Sequence, residues 1–162
     1  MDEFEQLGLI AEIAAAFLGF IAIFLALSKA DGRFAESDRH FIQALVVTAT
    51  LTIVLALSPR AISLFATDAM TWFSATILAI TLGSLAMFLQ ARQQFRMSRD
   101  EAMQIHWVWH LVAWALGICA AIFFVLALID SDRASAYFVG GVSLQVALSL
   151  WVFVGVVFRR FF

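Results

Sequence analysis

Five long, predominantly apolar runs divide the chain: Leu7–Leu27, Phe41–Leu57, Met70–Leu89, Ile105–Ile129 and Tyr137–Phe158. A helix needs about 20 apolar residues to cross the hydrocarbon of a bilayer, and each run is of that order. Between them lie only short polar segments, Ser28–His40, Ser58–Ala69, Gln90–Gln104 and Asp130–Ala136, none able to hold a folded domain. Of the 162 residues 64% are hydrophobic and 14% charged, with mean hydropathy +0.96. A soluble domain is about 45–50% apolar and about 25% charged, and one of this size could not hide the excess in its core. The pattern predicts an all-α, polytopic transmembrane bundle of about five spanning helices, one domain over residues 1–162.

The second run is the shortest and meets the only proline, Pro59. A proline removes one helical hydrogen bond without ending every membrane helix, so a kinked continuation through Ile62–Phe65 is expected. The first run follows Asp2, Glu3 and Glu5. A cleavable signal peptide needs a basic start, so this run reads as a retained helix.

Charge fixes the expected orientation. Lys29, Arg33, Arg39, Arg92, Arg96, Arg99, Arg159 and Arg160 fall on one side of a five-span topology, and only Arg60 and Arg133 on the other. Basic loops stay cytoplasmic, which predicts the N-terminus outside and the C-terminus inside. A formal charge of −2 argues against nucleic acid as a partner.

Membrane helices approach one another through small residues. The first run carries Gly8, Glu12, Ala15, Gly19, Ala22 and Ala26 at spacings of three and four. Comparable rows are Ala75, Ala79, Gly83, Ala86 and Gln90 in the third run, and His106, His110, Ala113, Gly117 and Ala120 in the fourth. The second offers His40, Ala44, Thr48, Thr52 and Ala56, and the fifth Gly141, Gln145 and Ser149. Polar and small residues share a side, which is expected to face the bundle or a subunit interface, with Gly8, Ala15, Gly19, Gly83, Gly117 and Gly141 as the packing positions.

Glu12 is the most informative residue. A charge at mid-membrane costs about 2.5–3.5 kcal/mol on insertion scales, so a carboxyl there serves either as a proton or cation site or as a hydrogen-bonded tie between helices. Gln145 should lie at a similar depth and is the natural partner for the second role. Thr48 and Thr52 could extend a polar path, although membrane threonines more often bond the carbonyl one turn back. His106 and His110 share a face at i,i+4. Two imidazoles so placed, with His40 and Met103 near, could ligate a metal or haem, but an interfacial role is the commoner fate of such histidines. Trp107, Trp109 and Trp114 beside them fit an aromatic belt. Arg60 could pair with Asp68 across the outer loop. The single cysteine, Cys119, excludes a disulfide framework.

The segment Ala11-Glu12-Ile13-Ala14-Ala15-Ala16-Phe17-Leu18-Gly19-Phe20, the charged loop with Arg39, and a second helix ending in Ser58-Pro59 together resemble small multi-span proteins of the bacterial inner membrane. The similarity covers roughly the first 60 residues. It implies that location and carries no activity with it.

Hydrolase, kinase and nucleotide-binding signatures are missing from the sequence. Neither catalysis nor a resident cofactor is expected. The sequence points first to a small homo-oligomeric channel for ions or protons, with Glu12, Gln145, Thr48, Thr52 and His110 along its path. The alternatives are an accessory subunit that docks on partner membrane proteins, and a haem or metal protein using His106, His110 and His40.

Overall fold

The computed structural model describes residues 2–30, 36–94 and 107–161, and every regular element among them is helical. Five long helices follow in order: α1 (Glu3–Ala30), α2 (Glu36–Ser63), α3 (Asp68–Gln94), α4 (Trp107–Ile129) and α5 (Ala134–Phe161). A single 3-10 turn, Ser131–Arg133, joins α4 to α5. All five are long and apolar enough to cross a membrane, over Glu3–Phe24, Phe41–Ser63, Asp68–Arg92, Val108–Ile129 and Ser131–Gly155. The protein is thus a multi-pass helical bundle.

Local chemistry sets the ends. At the start of α1 the Glu5 amide donates to Asp2 Oδ1 at 2.7 Å, and the Asp2 amide donates to Glu5 Oε2 at 3.2 Å. This reciprocal capping box satisfies two amides that the first turn leaves open. Ser135 Oγ donates to Glu3 Oε1 at 3.2 Å, tying the first turn of α1 to that of α5.

Pro59 lies inside α2, which continues to Ser63 before turning at Leu64. Having no N–H, it cannot donate to the carbonyl of Leu55 one turn earlier. The neighbouring Ser58 hydroxyl donates to that carbonyl at 2.9 Å. The Ser-Pro pair therefore carries its own repair, and the helix runs on where the apolar pattern weakens.

α5 is the central element, packed on α4, α2, α1 and, more lightly, α3. α2 lies beside it and also touches α1 and α3. α3 meets α4, so the helices close a ring with α2 and α5 across its waist. Two apolar clusters hold the ring. The one near the start of α1 and α5 includes Leu7, Leu55, Trp72, Phe124 and Phe138. The one at the other end includes Ile21, Phe41, Leu45, Leu148 and Val152.

The first cluster is built on rings. Phe4 packs on Trp72 at 5.6 Å between centroids, Trp72 on Phe138 at 5.8 Å, and Phe138 on Phe124 at 5.6 Å. Four helices meet in this chain of rings, and Phe138 is wholly buried. Phe124 can sit there only because residue 141 is glycine: a Cβ at Gly141 would stand 2.7 Å from Phe124 Cε1. Gly141 is a packing position.

Gly83 and Gly117 differ, because a Cβ at either would meet no atom within 4 Å. Gly141→Ala should therefore destabilise the bundle by about 1–3 kcal/mol through overpacking. Gly117→Ala should be neutral or stabilising by up to ~1 kcal/mol through helix propensity. Unfolding of both variants in mixed micelles by a denaturing detergent tests the contrast, and equal losses would refute it.

Candidate functional site

Between the two apolar clusters lies a polar waist. Thr48 and Thr52 on α2 and Gln145 and Ser149 on α5 are all buried. The hydroxyls are turned back on their own helices: Thr48 donates to Leu45 O at 3.2 Å, Thr52 to Thr48 O at 2.8 Å, and Ser149 to Gln145 O at 3.0 Å. Thr71, Thr76 and Thr81 do the same. A hydroxyl committed to its own helix is a poor stepping stone for an ion. The threonine protons are thus already committed within single helices.

Gln145 is the exception. Its side chain is 7% exposed, and Oε1 is buried without a hydrogen-bond partner. Leaving such an acceptor unsatisfied costs about 1–3 kcal/mol, and buried amides without partners are uncommon.

Gln145 borders a cavity of about 260 Å³ between α3 and α4, backed by α2 and α5. The walls explain the space. Ala79, Gly83 and Ala86 line it from α3, and Gly117, Ala120 and Ala121 from α4. The small rows of α3 and α4 thus face one another across a gap. Ser84, Ala121 and Val125 at the rim are exposed, so the cavity opens sideways between the two helices, toward lipid in a membrane. Towards the other end it adjoins a narrower chamber of about 70 Å³ lined by Trp109, His110, Trp114 and Trp151. Thr48, Met87, Gln90, Gly117 and Leu148 border both spaces. Trp109 and Trp151 form a fixed wall there, their rings 4.4 Å apart and the Trp151 indole N–H donating to Trp109 O at 3.2 Å.

The other candidates fall elsewhere. Glu12 is exposed on the outside of the bundle, as are Ala15, Gly19 and Ala22, and Gly8 is half-buried with open space at its Cα. The face of α1 that packs inside is Leu7, Ala11, Ala14 and Ile21. That row begins one residue earlier, about 100° around the helix. Placing the Glu12 row inside the chain is therefore incorrect, and of the two positions open to it only the outer face remains. Glu12 and Gln145 do not pair.

Of the histidines, His110 lines the narrower chamber. His106 and Met103 lie outside the described residues, as does the side chain of His40. Among the described residues no three His, Cys, Asp or Glu side chains gather to hold a metal. Asp68 accepts a hydrogen bond from the Trp72 indole at 3.2 Å, and no ion pair to Arg60 is present among the described residues.

No protein-family model, curated protein or solved structure matches this chain. The cavity is the feature that sequence reasoning missed. Its signal was two facing small rows, which read equally as close contact or as a gap. Gln145→Leu, which keeps the volume and removes the orphaned acceptor, should raise the unfolding free energy of the ligand-free protein by ~1 kcal/mol. A comparable loss in a detergent unfolding titration would show that the amide is satisfied in the folded state.

Proposed function

We propose that this protein is a non-catalytic component of the bacterial inner membrane that works as a small homo-oligomer. Its Glu12 carboxylates, gathered between subunits on the outer face of α1, form a proton or cation site. Following the basic loops, the N-terminus lies outside and the C-terminus in the cytoplasm. The observation that carries this reading is the position of Glu12. It sits nine residues into the first spanning segment, roughly 13 Å along the axis, and on the lipid-facing side. A carboxylate left there costs a few kcal/mol, so a partner surface that covers it is favoured. The neighbouring Ala15, Gly19 and Ala22 are small, which lets another helix backbone come close. The satisfied interior threonines support a path between copies over one through a single copy.

Two measurements test the proposal. With Cys119 replaced by alanine, Gly19→Cys should form an intermolecular disulfide within the membrane, whereas Leu7→Cys, on the buried face, should not. In proteoliposomes, Glu12→Gln should lower proton or cation flux at least about tenfold, toward that of protein-free vesicles, as expected when an essential proton-binding group is lost. Unchanged flux would end the conduction reading. A cross-link to a different protein in native membranes, with none between copies, would identify α1 as the docking face of an accessory subunit instead.

A further inference from the structure

We propose that the side-opening cavity between α3 and α4 is a binding site for an uncharged, lipid-soluble phenol or alcohol whose hydroxyl pairs with the side-chain amide of Gln145. The site is independent of Glu12, which lies on the outside of α1, away from the α3–α4 gap.

Three observations define the ligand. The side-chain amide of Gln145, buried at the cavity wall, makes no hydrogen bond within the chain, so the missing partner is an uncharged hydrogen-bonding group such as a hydroxyl. No Lys, Arg, Asp or Glu lines either chamber. A charged headgroup would therefore be desolvated without compensation, which excludes phosphate esters and amines. The rim opens at Ser84 and Ala121, within the spanning segments of α3 and α4, so entry is from the bilayer. Size agrees as well: an apolar cavity of roughly 150 Å³ accepts benzene, and this one, at about 260 Å³, has room for a substituted ring. An alkyl tail would leave between Ser84 and Ala121.

The glycines make the site selective. Gly83 and Gly117 leave the space that larger residues would fill, and neither is needed for helix contact. A bundle under selection for packing alone would gain by filling it.

The test uses the intact protein in detergent micelles, with para-hexylphenol carrying a ring bromine as probe. Bromine quenches tryptophan on contact, and Trp109, Trp114 and Trp151 line the adjoining chamber. Quenching should saturate and be reversed by unbrominated para-hexylphenol. The methyl ether, which lacks the donor, should bind about tenfold more weakly, as fits loss of one hydrogen bond to a buried acceptor. In Gln145→Leu the phenol and its ether should bind equally, while Gly117→Leu, or Gly83→Leu should the former misfold by circular dichroism, should abolish saturable quenching. Quenching that never saturates would overturn the proposal. So would an ether that binds the wild-type protein as well as the phenol, or a preference for the phenol that survives Gln145→Leu.

Discussion

Hydrocarbon offers no hydrogen bonds, and the bundle is organised around that constraint. The backbone meets it by running as helices over almost all of the described chain. The side chains meet it by turning inward on their own helices, as Thr48, Thr52, Thr76 and Ser149 do. Pro59 would break the rule by freeing the Leu55 carbonyl, and Ser58 restores it. Against that background the unsatisfied Gln145 oxygen and the outward Glu12 stand apart, because neither is satisfied within the chain.

Packing is uneven along the membrane normal. At one end, rings from four helices meet near Gly141, where a Cβ would stand only 2.7 Å from Phe124. Toward the other end, small residues on α3 and α4 face one another without closing. Association in lipid depends on van der Waals contact, so helices close only where complementary shapes exist. Phe124 and Gly141 are complementary. Two rows of glycine and alanine offer no such complementary shape, and they leave space between them.

Much of this was legible in the sequence, for reasons particular to each element. The spans could be read because lipid demands length and hydrophobicity from every crossing segment. The inner faces of α2 and α5 could be read because Thr48, Thr52, Gln145 and Ser149 are poorly suited to face lipid. The face of α1 could not. Ala11 and Ala14 on one row and Ala15 and Gly19 on the next are equally small, so the only contrast came from Glu12. A rule that turns carboxylates inward would place that row inside the chain, where Leu7, Ala11, Ala14 and Ile21 lie instead.

The sequence alone therefore determined that the chain is a multi-pass helical bundle, because membrane solvation acts on each segment separately. Continuation of α2 past Pro59 was likewise local, since Ser58 and Pro59 act within one turn. Only the tertiary structure decided that Glu12 faces outward, that the small rows of α3 and α4 border a cavity, and that Gln145 lacks a partner. Those outcomes depend on how five nearly uniform apolar cylinders are rotated and spaced. That is set by the summed fit of all their side chains, such as Phe124 against Gly141, rather than by any single residue's preference.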